Sequence, residues 1–262
     1  MADFRVRLKT ENEIALLREG GKRLSFVLNK VAEAVTPGVT EKELDALAEK
    51  TILEMGDKPA FKNYRPDLAA VAFPASLCVS VNDAVVHGIP TDRVLKEGDI
   101  VGIDLGVIHS GLYTDMAMTV PVGKISPLHQ KLITVTREAL AVGINAAQSG
   151  FYTGDIGYAI ESFVKKYKYG IVRELAGHGV GYEAHEAPYV PNYGRPGKGE
   201  KLVPGLVIAI EPMFNDGGDD IVLAEDQFTY KTADGGHSAH FEKTIVITED
   251  GPEILTPHHF YT

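Results

Sequence analysis

Apolar residues recur at helical spacing from Ile14 through Leu17, Leu24, Leu28 and Val31 to Val35, which predicts a helix over 11–35. Thr36-Pro37-Gly38 ends it. Thr40 and Glu43 then spell a capping box. It opens a second helix with Leu44, Leu47, Ala48 and Ile52 on its inner face, stopped at Gly56. A connection with prolines and aromatics runs from 59 to 74. Strands are expected at 76–81, 99–107 and 112–120, with His109-Ser110-Gly111 as the turn between the last two. Pro127 to Gln148 reads as a long helix. A further helix follows the Gly150–Ile156 segment. Strands are expected at 171–175, 206–213, 221–224, 227–231 and 241–248. Residues 191–205, rich in Gly, Pro and Lys, read as an exposed loop, and 215–220 as a tight polar turn.

Two stretches about a hundred residues apart share one register. Leu95-Lys-Glu-Gly98-Asp-Ile-Val-Gly-Ile103-Asp104 and Leu202-Val-Pro-Gly205-Leu-Val-Ile-Ala-Ile210-Glu211 each run from Leu through Gly to Ile and a carboxylate at the tenth position. The helix openings after Gly38 and Gly150 repeat in the same order, each glycine followed six residues later by Leu44 or Ile156. No linker composition separates the halves. The expected fold class is therefore α+β: one domain over 1–262 with internal pseudo-symmetry, the halves falling roughly at 12–123 and 124–256.

Composition narrows the function classes. The chain has 262 residues, 44% of them hydrophobic, which suffices for a substantial core. A formal net charge of -10 argues against nucleic acid as a specific partner, but not against a cationic substrate end such as an α-amino group. Cys78 is the single cysteine, so no intramolecular disulfide can form, which fits a reducing compartment. The N-terminal residues lack a signal-peptide core, and no apolar run approaches the roughly 20 residues of a membrane span. A cytoplasmic protein without membrane contact is expected.

The carboxylates of the repeated words carry the chemistry. An acid inside an apolar strand costs several kcal/mol of desolvation unless it is paired or bound to a cation. Asp104 lies in Val-Gly-Ile-Asp-Leu-Gly and Asp115 in Leu-Tyr-Thr-Asp-Met-Ala. With His109 and Ser110 as a two-residue hairpin loop, the two aspartates would stand opposite each other. Such a pair is either a surface feature of a hairpin end or a pair of cation ligands. His178 and His185 lie in the glycine-rich run Gly177-His-Gly-Val-Gly-Tyr-Glu-Ala-His185-Glu-Ala-Pro188. Glu211 ends the repeated strand, and Glu242 opens a β-branched one. Four carboxylates cannot share a site uncompensated. Two divalent cations settle the balance, and an oxygen-rich set with imidazole suits Mn, Fe, Co or Zn. Metal-assisted hydrolysis follows from the residues; the substrate does not.

In order and spacing, Asp104, Asp115, His178, Glu211 and Glu242 match the five ligands of the pita-bread metallopeptidases. The flanking words Ser80-Val-Asn82-Asp-Ala-Val-Val-His87-Gly-Ile-Pro90, Ile210-Glu-Pro-Met213 and Ser238-Ala-His-Phe-Glu242-Lys-Thr-Ile resemble type I methionine aminopeptidases, and the likeness runs from about Asn12 to Thr256. The resemblance implies two pseudo-symmetric halves around a curved antiparallel sheet covered by helices. It implies a hydrolase that removes N-terminal methionine from nascent polypeptides with a small second residue, through a water activated by two metal ions, and hence proximity to the ribosome. Asp104 would chelate one ion, Asp115 and Glu242 would bridge both, and His178 and Glu211 would complete the second. His185 would stabilise the scissile carbonyl, His87 would contact the peptide nitrogen, and Glu242 would handle the water's proton. Cys78, Phe73 and Phe228 would line the methionine pocket, joined by Tyr64 and Phe61.

The chain departs from that pattern in several places. The stretch 65–72 is longer than is common, Ala184 stands where an aromatic is usual, and Gly106 replaces a hydroxyl residue. His240 replaces a glutamine, and either hydrogen-bonds a ligand or contacts metal itself. Two rival readings remain: an X-Pro peptidase sharing the five ligands, and a non-enzymatic binding module on the same fold.

Overall fold

The computed structural model describes residues 6–65 and 71–257; the middle of the unusual 65–72 stretch lies outside the described residues. Four helices form where the periodicity places them: α1 (Glu11–Ala34), α2 (Glu41–Glu54), α3 (Pro127–Ala146) and α4 (Thr153–Val164). The Thr40–Glu43 capping box is made in full, and Thr10 with Glu13 makes a second one ahead of α1. Ser126 caps α3 by accepting from the His129 N–H, with Pro127 in the first turn where its missing N–H costs nothing.

The strands pair antiparallel throughout. Ile100–His109 is central in the first half. Leu77–Val81 and the short Lys58–Pro59 lie along one of its edges, and Leu112–Pro121 along the other. In the second half a five-stranded sheet runs in the order Gly251–Ile254, Lys243–Thr248, Val207–Ile210, Gly177–Gly179, Glu186–Val190. Two smaller sheets complete the set: Ser238–His240, Met213–Asn215 and Gly170–Ile171, then Ile221–Leu223, Tyr230–Thr232 and Ala84–Val86. Helix α1 crosses the two long strands of the first half, α2 lies on Leu77–Val81, and α3 and α4 cover the second half. One continuous apolar cluster extends from Leu24 and Leu28 through Ile103 and Met116 to Ile210 and Ile245. Among the described residues no helix is long and apolar enough to cross a membrane.

Several expected elements are corrected by this arrangement. The hairpin loop is Ser110-Gly111, with φ of 51° and 83°, so His109 pairs with Leu112. A two-residue loop with both φ positive favours glycine at its second position, and that shifts the register by one pair on each strand. Asp104 thus faces Ala117, and Asp115 faces Gly106. The aspartates are diagonal neighbours on one face rather than direct partners. The expected strand 206–213 is broken at Glu211-Pro212, and the strand expected over 241–248 instead runs as 238–240 and 243–248, broken at Phe241-Glu242. Only Gly170–Ile171 of the 171–175 region is extended, and 177–179 and 186–190 are strands that the periodicity did not show. Within 191–205, Asn192 and Leu202 are fully buried; the exposed part is centred on 195–201.

The segment ahead of α1 is pinned to the 181–186 loop by buried charge. Lys9 Nζ and Glu186 Oε1 form an ion pair whose side chains are almost wholly inaccessible, and Arg7 adds 2.7 Å to the other Glu186 oxygen. Burial lowers the Lys9 pKa, and Glu186 offsets part of that shift. Glu186→Gln leaves the ammonium buried without its counter-charge, an expected cost of about 3–5 kcal/mol in urea unfolding. Adding Lys9→Met should recover part of that loss. A double variant as unstable as the sum of the singles would show that the pair is not the source.

Candidate metal centre and substrate pocket

Register places the carboxylates in lines across the sheet. Cys78 faces Asp104, and Asp104 faces Ala117. The Glu242 N–H donates to the Ala117 carbonyl at 2.9 Å. On either side of the two strand breaks, Lys243 pairs with Ile210 and His240 with Met213, so Glu242 stands opposite Glu211. Asp115 belongs to the next row on the same face. Its N–H donates to Thr244 Oγ1 at 3.0 Å, and the Thr244 hydroxyl returns a 2.7 Å bond to the Asp115 carbonyl. That row continues from Thr244 through Ala209 to His178, because Gly179 pairs with Ile208 one step along.

The glycines around His178 serve this packing. A Cβ at Gly177 would stand 2.3 Å from the Ala209 carbonyl, and one at Gly179 2.1 Å from the Ala187 carbonyl. Only glycine lets the neighbouring backbones come that close.

Among the described residues twelve line one cleft, about 540 Å³ with its open mouth included, and all twelve were named from the sequence. Asp104, Asp115, His178, Glu211 and Glu242 form its floor, His87 and His185 stand beside them, and Phe61, Tyr64, Phe73, Cys78 and Phe228 make the apolar wall. Donor atoms of Asp115, His178 and Glu242 lie within 4.8 Å of one another. His178 Nε2 is 3.5 Å from Glu211 Oε1. His178 Nδ1 must carry its proton, because it donates to the Gly179 carbonyl at 2.9 Å. That leaves the Nε2 lone pair facing the carboxylates, the tautomer a cation needs.

Burial pushes the Asp104 pKa up to about 7, and raises Asp115 and Glu242 well above their ordinary values, with the neighbouring carboxylates adding to the last two. Glu211 is also raised by burial, against a partial offset from His240. Desolvation lowers His178 far below its usual range, brings His87 to about 3, and lowers His185 at the cleft mouth. The histidines are therefore neutral at pH 7. The Cys78 thiol is pushed well up by burial and then by Asp104 and Asp115, so it stays protonated and acts as pocket wall. Asp104 Oδ1 and Glu242 Oε1 are buried with no hydrogen-bond partner. Anionic oxygens packed together in a dry floor, with neutral imidazole beside them, fit divalent cations.

Geometry bears on two of the departures from the common pattern, His240 and Gly106. His240 Nε2 stands 3.4 Å from Glu211 Oε2 and does not line the cleft, so His240 contacts the Glu211 carboxylate from behind. A Cβ at Gly106 would meet Ala60 Cβ at 2.7 Å and Phe61 Cε1 at 2.9 Å. The ring of Phe61 has taken the space that a hydroxyl side chain would need. Some supporting residues were not legible. Thr244 and Thr119 hold the Asp115 strand to the 240–244 segment, and their spacing carries no motif. Glu186 anchors the His185 loop, and its partners Arg7 and Lys9 lie far off in sequence.

A profile of metallopeptidase family M24 matches residues 15–249. The chain belongs to that family. It is 47% identical over 249 residues to a methionine aminopeptidase of Clostridium perfringens, covering 95% of this chain and 98% of that protein. It is 44% identical over 248 residues to methionine aminopeptidase 1 of Bacillus subtilis, at 95% and 98% coverage. The crystal structure of the Rickettsia prowazekii methionine aminopeptidase superposes with a TM-score of 0.93 at 40% identity, covering 97% of this chain and all of that one. An Xaa-Pro dipeptidase of Bacillus anthracis superposes at 0.76 with 23% identity and 63% of its chain covered, a likeness of fold. The pita-bread architecture expected from the sequence is thereby established, and so is divalent-metal use.

Two expectations follow from the site. Gly106→Ser must displace Phe61, so it should destabilise the fold by about 1–3 kcal/mol as overpacking does, and should raise KM for an apolar N-terminal residue. An unchanged Tm with unchanged KM would show that the wall yields freely. The second concerns pH. Carboxylates whose folded pKa is raised contribute stability at low pH, and that contribution is lost as pH rises through the folded values. Histidines whose folded pKa is lowered act in the opposite sense, but only below about pH 6.5, their unfolded value. Above that, Lys243, lowered to about 7 by burial, and Lys9, also lowered by burial, add stability as pH rises and oppose the carboxylates. The lysines act alike with and without metal, so as pH rises through about 7 the Tm of metal-stripped protein should fall relative to that of protein refilled with Mn²⁺ or Co²⁺. Equal slopes with and without metal would contradict a cation in this floor.

Proposed function

We propose that this chain hydrolyses the N-terminal methionine from newly made polypeptides whose second residue is small, in the cytoplasm and close to the ribosome. The observation that carries the reading is likeness to methionine aminopeptidases at 40–47% identity along nearly the whole chain, together with a wall of aromatic rings and one protonated thiol beside a carboxylate floor. Asp104, Asp115, His178, Glu211 and Glu242 would hold two divalent ions, with Asp115 and Glu242 shared between them. Bound there, the ions supply a nucleophile at neutral pH and charge stabilisation for the oxygens of a tetrahedral intermediate.

The chain's own residues do the rest. Phe61, Phe73 and Phe228 receive the thioether side chain, with Phe73 and Phe228 packed edge to face at 5.4 Å. The α-amino group would lie over the floor formed by Asp104 and Glu211. Tyr64 OH lies 3.1 Å from His185 Nδ1. With the phenol donating there, the His185 proton sits on Nε2 and is offered to the scissile carbonyl as negative charge develops. His87 is neutral and held at φ 59°, a conformation uncommon outside glycine, which fixes its ring beside Tyr230 and the path of the leaving peptide. Glu242 would accept the proton of the attacking water and pass it to the leaving amine.

The deciding measurement is hydrolysis of Met-Ala-Ser, Leu-Ala-Ser and Ala-Pro peptides by stripped protein refilled with Mn, Co, Fe or Zn. Met-Ala-Ser should exceed Leu-Ala-Ser by about tenfold or more in kcat/KM, the scale set by pocket fit. Ala-Pro should be nearly untouched. Faster cleavage of Ala-Pro would overturn the methionine reading in favour of an X-Pro peptidase.

A further inference from the structure

Apart from the cleft floor, one other group among the described residues brings three metal-binding side chains together: His129, Asp216 and His237. His129 is in the first turn of α3. Asp216 directly follows the strand Met213–Asn215, and His237 directly precedes Ser238–His240, its antiparallel partner. The group thus sits where α3 meets the far end of the two strands that lead to Glu211 and Glu242. At strand rise, five residues put it roughly 17 Å from those carboxylates.

Its geometry is that of a site held ready. The Asp216 N–H donates to the His237 carbonyl at 2.9 Å, and the His237 N–H returns 2.8 Å to Asp216 Oδ1. This reciprocal pair fixes the carboxylate and turns Oδ2 toward His129. Oδ2 stands 3.9 Å from His129 Nε2, too far for a hydrogen bond. His129 Nδ1 is buried and has no partner either. One imidazole nitrogen is thus buried without a hydrogen bond, a cost that nothing in the protein offsets, while Nε2, the atom that faces Asp216, stays open to solvent. The His237 ring stacks on it at 3.9 Å with a 25° tilt. Burial and the neighbouring His237 lower the His129 pKa, which keeps its lone pair free. Donor atoms of all three lie within 4.8 Å of one another. Around an ion with bonds of about 2.0–2.1 Å, tetrahedral donors stand roughly 3.4 Å apart. The stacked rings aim their lone pairs side by side, so binding also requires one ring to turn about its Cβ–Cγ bond.

We propose that His129, Asp216 and His237 bind one divalent cation of the borderline class, such as Zn²⁺, Ni²⁺ or Co²⁺, separate from the catalytic centre. Two imidazoles and a carboxylate select that class over Mg²⁺ or Ca²⁺. The ion clamps the N-terminus of α3 to the ends of the strands that carry Glu211 and Glu242 at their other ends. It also adds one equivalent to any metal count made on the intact protein. This inference does not depend on the substrate of the cleft.

The test compares stripped wild-type protein with His129→Ala/His237→Ala, each titrated with Zn²⁺ and analysed for bound metal after dialysis. Wild type should bind one equivalent more than the double variant, and its Co²⁺ form should show an additional visible band. Hydrolysis of Met-Ala-Ser should persist in the variant, since no cleft residue is altered. Equal stoichiometry and identical Co²⁺ spectra would overturn the site. Asp216→Asn covers the case of a variant that does not fold. Its amide oxygen can still accept from the His237 N–H, but the charge is gone. The additional equivalent should then bind at least about tenfold more weakly, the scale of losing even a ligand's supporting partner. Unchanged affinity there would equally overturn it.

Discussion

The structure depends on one seam, where the strand Leu112–Pro121 meets residues 240–244. Three rungs make it: Asp115 with Thr244, Ala117 with Glu242, and Thr119 with His240. Only the middle rung is a backbone-to-backbone bond; threonine hydroxyls bridge the other two. This seam joins the first sheet to the second and brings Asp104, Asp115, Glu211 and Glu242 onto one face. The fold cannot form it without driving four acids into a dry floor. Their protons or their counter-cations are therefore part of the folding equilibrium, and a metal held there would link its binding to folding through the same residues.

The local irregularities serve that seam. At Phe241-Glu242 the backbone reaches both ways, and the Phe241 N–H donates to the Pro212 carbonyl at 3.3 Å. The Glu242 N–H turns the other way, to the Ala117 carbonyl of the first sheet, and proline at 212 has no N–H to leave unpaired. The opposite device operates at Gly177 and Gly179, where missing side chains let three backbones close around His178. Irregular strands and bare glycines at the carboxylate floor share one purpose, the approach of main chain to main chain around charged side chains.

Much of this was legible in the chain. Helices α1 and α2 followed from periodicity and the Thr40–Glu43 box, because capping is local chemistry. The words ending in Asp104 and Glu211 do fold alike: Gly98 and Gly205 both turn with positive φ, and Leu95 and Leu202 are both fully packed. We read that likeness as the trace of a duplicated half within one domain. The register of Asp104 and Asp115 was misread because Ser110-Gly111, not His109-Ser110, has the residue types for a turn with both φ positive. The strand breaks were hidden because an apolar run looks continuous whether or not its neighbour is. The charge clamp of Lys9 and Glu186 spans 177 positions, a distance over which local pattern carries no signal.

Register also explains why a cleft with these walls acts at a chain end. Cys78 and Asp104 are cross-strand partners, so the apolar wall and the anionic floor meet within one strand spacing, about 4.8 Å. A residue whose side chain lies against Phe73, Phe228 and Cys78 has its own backbone over the carboxylates. An internal residue there would bring a neutral amide and further chain toward Asp104 and Glu211. An N-terminal residue brings an amino group instead, whose nitrogen lone pair, unlike an amide's, is free for a cation that those acids would hold. The selectivity for a free amino terminus and the burial of the carboxylates thus have the same origin: a side-chain pocket and a charged floor placed on adjacent strands by a single line of pairing.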